Sequence, residues 1–171
     1  MSEIKTSEKE LNKTYNPKKV EGKWYPVWEK SGAFEPKENG ADSFTLMIPP
    51  PNVTGILTMG HVLNNTINDV LVRHARMRGE STLWLPGTDH ASIATEAKVT
   101  QMLKNKGINK HEIGREEFLT YAWEWKEKYG GIIIQQLKKL GASCDWNREV
   151  FTMDDDYSRT VLQAFVRLYN D

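Results

Sequence analysis

Two short apolar runs, "FTLMI" at residues 44–48 and "STLWLPG" at residues 81–87, are each halted by proline, and a long amphipathic stretch lies between them. A run of about five apolar residues is too short for a helix and suits a strand buried on both faces. Pro49, Pro50 and Pro51 cannot extend that strand, because proline brings no N–H to a ladder. The first strand is therefore expected to end at Ile48. From Gly60 the period changes. Val62/Leu63, Thr66/Ile67, Val70/Leu71 and His74/Ala75 recur every three to four residues, with Asn64, Asn65, Asn68, Asp69, Arg73 and Arg76 on the other side. That spacing predicts an amphipathic helix of about five turns, its apolar stripe inward, with His74 in the core. Arg73, Arg76 and Arg78 suit its negative end, and Gly79 suits a left-handed cap. Strand, helix and strand in this order form a parallel unit with a right-handed crossover, so the chain reads as α/β.

The flanking text adds helices. Residues 1–14 are polar, without periodicity, and are expected to be a flexible N-terminal segment. Trp24, Tyr25, Trp28 and Phe34 then mark an aromatic helical segment that should pack on a sheet. Residues 92–105 read as a helix ended by Lys106-Gly107, and residues 115–140 as a longer one closed by Gly141. Gly130-Gly131 inside the latter predicts a kink. Trp123 and Trp125, two apart, cannot share a helix face, so one should be exposed. Asp154, Asp155 and Asp156 read as acids at the N-terminus of a last helix.

Lys plus Arg and Asp plus Glu number 23 each, which excludes a strongly basic nucleic-acid surface covering the whole chain. One cysteine, Cys144, allows no internal disulfide. Without a run of about 18 apolar residues or an apolar leader, membrane insertion and export are not expected, and a cytoplasmic location is. On that basis the N-x-S/T matches at Asn12, Asn52 and Asn64 are chance.

The chemistry concentrates in "PPPNVTGILTMGH", residues 49–61. A loop leaving a parallel strand and entering a helix is where open α/β sheets bind ligands, and the free N–H groups of the helix start favour an anion. Gly60 permits close approach, and the imidazole of His61 can donate to a phosphoryl group. Neither G-x-x-x-x-G-K-[ST] nor G-x-G-x-x-G is present, so this is not one of the common Gly-rich phosphate loops. A plain helix start behind a stiff turn fits the same letters.

The whole stretch resembles the HIGH signature region of class I aminoacyl-tRNA synthetases, in the form typical of the valyl-tRNA synthetase family. "GTDHASIATEAKV", "YGGIIIQQLKKLGASCDW" and "FTMDDDYSRTVLQAFVRLY" are similar to segments of that family in the same order. The resemblance runs from Tyr15 onward. It implies a Rossmann-like class I nucleotide-binding half with added helices, residues 15–171 being the first half of the catalytic domain, up to where the family inserts its editing domain. It implies activation of L-valine with ATP, accompanied by magnesium, and transfer to tRNA(Val). Isoleucyl- or leucyl-type synthetases, and a non-catalytic ATP-binding module, are the alternatives.

By the same resemblance His61 and Thr58 are catalytic, Gly60, His61 and Asn64 bind ATP, and Pro49, Pro50, Asn52 and Asp89 bind valine. Asp89 would hold the α-ammonium, although an N-cap is its ordinary use after a strand. Thr58 departs from the family, which usually has histidine there; a hydroxyl donates one hydrogen bond and carries no charge. No metal ligand set is expected within the chain, since His111-Glu112 has Arg115 at the zinc-partner position. The family's KMSKS lysine loop has no counterpart here. Alone, the segment is expected to have weak or no full activity and to self-associate through exposed apolar surface.

Overall fold

The computed structural model describes residues 14–38 and 40–171, so nearly all of the expected N-terminal tail lies outside the described residues. The elements are α1 (Pro17–Lys30), β1 (Ser43–Met47), α2 (Met59–Met77), β2 (Ser81–Leu85), β3 (Gly87–Thr88), α3 (Ser92–Asn105), α4 (Lys110–Leu140), a short 3-10 turn at Trp146–Arg148, β4 (Val150–Phe151) and α5 (Asp155–Asn170).

β1 and β2 are parallel neighbours joined through α2, as the apolar runs predict. Pairing does not stop at Met47, since Ile48 N–H still donates to Leu85 O at 2.9 Å. The prolines then interrupt it. When pairing resumes at Asn52 and Asp89, the offset between partners has changed from 38 to 37 residues. The proline run thus takes one step more than its partner and bulges out of the ladder. Beyond Pro86, β3 pairs in parallel with β4. The core between sheet and helices holds Ile48, Val53, Val72, Trp84, Ile133, Leu137, Ala142, Cys144 and Phe151.

The facing of α2 corrects the sequence reading. Leu63, Ile67 and Val70 are 65%, 54% and 61% exposed, whereas Asn65 and Val72 are 2% and 0% exposed. His74 is exposed too. The reason is a polar lock on the inner side. Asp69 Oδ1 accepts from both N–H and Oγ of Ser143, Arg76 donates to Ser143 Oγ and O and to Phe34 O, and Arg73 donates to Gly141 O. Burial pushes the Arg76 pKa down, and Asp69 opposes that shift. Hydrogen bonds to charged groups are each worth roughly 1.5–3 kcal/mol, enough together to outbid a stripe of aliphatic side chains. Gly79, at φ 87°, follows the helix end as expected.

α1 packs against α4 and the 142–146 segment: Tyr25 OH donates to Ala142 O at 2.6 Å and accepts from Trp146 Nε1. Burial raises the Tyr25 pKa, which keeps the proton on that donor. The buried Cys144 thiol is pushed up likewise and is inert near neutral pH. The predicted kink at Gly130-Gly131 is absent. The helical run breaks instead at Gly114 (φ 73°, ψ 178°), while Gly130 continues the helix beside the buried Ile133, Ile134 and Leu137. Gly141 caps α4 in the left-handed region, and Trp123 is the exposed member of its pair. Asp154 occupies the N-cap position of α5, its carboxylate accepting from Phe151 N–H at 2.8 Å rather than from the helix, with Asp155 and Asp156 in the first turn.

Gly87 is where the sheet is tightest, since a Cβ there would stand 2.7 Å from Val150 O. Gly87→Ala should part β3 from β4 and cost about 1–3 kcal/mol in a urea melt, the scale of an overpacked site; an unchanged melt would show that β4 yields freely.

Candidate functional site

β1 and β2 run side by side, so the segments that leave them emerge at one end of the sheet. These are residues 49–58, leading into α2, and residues 86–91, leading into α3. Ligands of open parallel sheets gather at such carboxyl ends. Pro49 and Pro50 are exposed in the bulge, while Pro51 is buried and its carbonyl accepts from Asp89 N–H at 2.9 Å. Asp89 O accepts in turn from Val53 N–H at 2.9 Å. Asn52 and Asp89 are thereby opposed across two strands, and opposed residues of a parallel pair present their side chains on the same face.

Asp89 is half-buried, and one of its oxygens is engaged. Oδ1 accepts from Ala91 N–H at 3.1 Å and from the Thr152 hydroxyl at 3.0 Å. The helix that follows is capped by Ala91, not by Asp89. The turn is strained, since Ala91 and Ser92 hold φ at 48° and 23°. Side chains pay roughly 1–3 kcal/mol for such a conformation, and it persists where neighbours fix it. Here the Thr95 hydroxyl helps by donating to His90 O at 2.6 Å.

At the mouth of α2, Thr58 is the extended N-cap. Its N–H donates to His61 Nδ1 at 3.0 Å, and its Oγ1 lies 2.8 Å from the same nitrogen. A nitrogen that accepts an N–H carries no proton of its own, so the neutral ring bears its hydrogen on Nε2. Thr58 therefore fixes the tautomer and turn of the imidazole. Gly60 is exposed, and a Cβ added to it would meet only Thr58 Oγ1, at 3.6 Å. Nothing in the fold requires glycine at this position. Asn64, one turn on, is exposed and accepts from Asn68 at 3.0 Å. Asn65 is buried and donates to His61 O at 2.8 Å.

The sequence-derived residues thus form two groups: Pro49, Pro50, Asn52 and Asp89 on the strand ends, and Thr58, Gly60, His61 and Asn64 on the helix mouth. No hydrogen bond among the described residues joins the two groups directly. What unites them is a common brace. Trp125 Nε1 donates to Val53 O at 2.7 Å, and Gln136 Oε1 accepts from Leu57 N–H at 2.9 Å, so α4 holds the linking loop at both ends. Sequence reasoning missed Trp125, Gln136 and Thr152 in these roles; only their places in helical or strand register hinted that they face inward.

Comparison with known proteins matches residues 23–171 to the family described as tRNA synthetases class I (I, L, M and V). The chain is 59% identical over 160 residues to a valine–tRNA ligase of Parabacteroides distasonis, covering 94% of this chain and 18% of the relative. It is 62% identical over 155 residues to one from Christiangramia forsetii, covering 91% and 18%. The chain spans about a fifth of the length of these curated relatives. Its fold matches that of a leucyl enzyme from Agrobacterium radiobacter, solved with tRNA and LeuAMS, at TM-score 0.74 and 20% identity over 92% of this chain and 18% of that one.

Gln136→Leu removes the acceptor for Leu57 N–H and should cost roughly 1–3 kcal/mol in urea unfolding, the penalty of a half-buried orphan donor. Gln136→Glu keeps an acceptor and should restore most of that stability; equal loss in both variants would show that the bond is incidental.

Proposed function

The chain belongs to the class I tRNA synthetases of the I, L, M and V group, with their Rossmann-like fold, and on that premise we propose that it carries the amino-acid and nucleotide subsites of a valine–tRNA ligase. The family uses ATP. The observation that carries the reading is that adjacent parallel strands deliver Asp89 and the mouth of α2 to the same sheet end.

In this reading the α-ammonium of L-valine pairs with the free oxygen of Asp89, a charge-assisted contact of a half-buried carboxylate. Pro49 and Pro50 form a rigid apolar wall, and Asn52 supplies a neighbouring amide. ATP lies against Gly60, where its phosphates meet the open N–H groups and positive end of α2. His61 Nε2–H donates to a phosphate oxygen, Thr58 keeps that proton on Nε2, and Asn64 reaches the nucleotide. The carboxylate of valine attacks the α-phosphorus and pyrophosphate leaves; a terminal-adenosine hydroxyl of tRNA(Val) then attacks the adenylate carbonyl, forming the ester and releasing AMP. No protein nucleophile takes part; positioning and charge stabilisation do the chemistry. Magnesium enters with the nucleotide.

The choice of valine over isoleucine or leucine is supported by the identity to valine–tRNA ligases. Self-association has physical support in the exposed apolar stripe of α2 and in α5, where Leu162, Phe165 and Leu168 are all uncovered.

Gly60→Ala separates fold from function. Alanine is at least as good as glycine in a helix, so the thermal midpoint should hold or rise. ATP should shift the amide signals of Gly60 and His61 in the NMR spectrum of the wild-type chain, and the variant should bind ATP on the order of tenfold more weakly. ATP binding unchanged by this methyl group would remove the nucleotide from the mouth of α2.

A further inference from the structure

We propose that Thr152 is a positioning residue for the amino-acid site: its hydroxyl holds one oxygen of Asp89 so that the other faces the substrate ammonium. The inference rests on the assignment of Asp89 above and adds a residue 63 positions away, brought in by the second half of the sheet.

β4 places it. β3 pairs with β4 at Gly87–Val150 and Thr88–Phe151, so the next level sets Thr152 beside Asp89. Asn52, Asp89 and Thr152 then stand in one row across three parallel strands. The Thr152 backbone is held independently, its N–H donating to Thr88 O at 3.2 Å. Its hydroxyl is therefore not needed to bring it there.

Counting hydrogens fixes what the hydroxyl does. It has one proton and two lone pairs. An ionised carboxylate can only accept, so the proton goes to Asp89 Oδ1, 3.0 Å away. The lone pairs accept from His90 N–H at 2.9 Å and from His90 Nδ1 at 2.6 Å. His90 Nδ1 must then carry a hydrogen, which leaves Nε2 as its open nitrogen. With Ala91 N–H also on Oδ1, that oxygen is engaged by two donors, and the carboxylate is turned to present Oδ2. Phe151, edge-on to the His90 ring at 6.4 Å, shields the arrangement on one side.

Thr152→Val keeps shape and strand propensity but deletes the donor, while Thr152→Ser keeps it. Binding of L-valine to the 171-residue chain, followed by amide shifts at Asn52 and Ala91, should weaken on the order of tenfold in Thr152→Val and recover in Thr152→Ser. Binding of isovalerate, which has the same carbon skeleton without the ammonium, should be weaker in the wild type and unaffected by Thr152→Val. The imidazole nitrogen spectrum of His90 should show Nδ1 protonated in the wild type and in Thr152→Ser, and a tautomer mixture in Thr152→Val. Asp89→Asn tests the underlying reading. If it weakens valine binding and Thr152→Val does not, Thr152 has no positioning role. If Asp89→Asn leaves valine binding unchanged, or valine shifts no signal in the wild type, the amino-acid site itself is misassigned and the proposal falls with it.

Discussion

A parallel ladder can continue only through residues that bring an N–H, and this sheet meets four that do not: Pro49, Pro50, Pro51 and Pro86. They interrupt the two neighbouring strands at nearly the same level. Backbone pairing resumes beyond them in a shifted register, and the residues past the break become a second, short sheet level made of Asn52, Asp89 and the β4 segment. Every side chain of the proposed amino-acid subsite stands at or just beyond this interruption. Rigid φ angles then make the bulge a wall rather than a flexible loop.

The same interruption explains why α2 must be held so firmly. In the proposed site its first turn offers open amides, and Met59 and Gly60 there are exposed rather than packed. It is anchored from its other half, where Asp69, Arg73 and Arg76 seize the 141–143 segment. Buried polar locks are costly to leave incomplete, and these find partners for nearly all of their groups, the Arg76 Nε and Asn65 Oδ1 atoms being exceptions among the described residues.

What could be read from the letters was local. Apolar runs bounded by proline gave the strands, glycines at positive φ gave the helix ends, and acids in a first turn gave the start of α5. The inner face of α2 was misread because hydrophobicity alone cannot reveal a carboxylate and a guanidinium matched to a serine some seventy residues away. The break at Gly114 was equally hidden, since only tertiary packing decides which glycine in a long helix yields. For the candidate site, the position of Gly60 and His61 at a helix start was legible from the strand-to-helix pattern, whereas Asp89 was pointed to only by the family resemblance. Thr152, Trp125 and Gln136 were not legible, for each acts through hydrogen bonds to a loop far away in sequence, one at Trp125, one at Gln136 and three around the Thr152 hydroxyl.

The two ties from α4 to that loop have a mechanical meaning. Trp125 and Gln136 lie eleven residues apart on one rigid rod, some 16 Å by helical rise, and grip the loop on either side of its glycine. Loop and rod therefore behave as a single strut. A push on α4 along its axis would travel to the proline wall and to the mouth of α2 together, carrying the two proposed reactant seats in step instead of prying them apart.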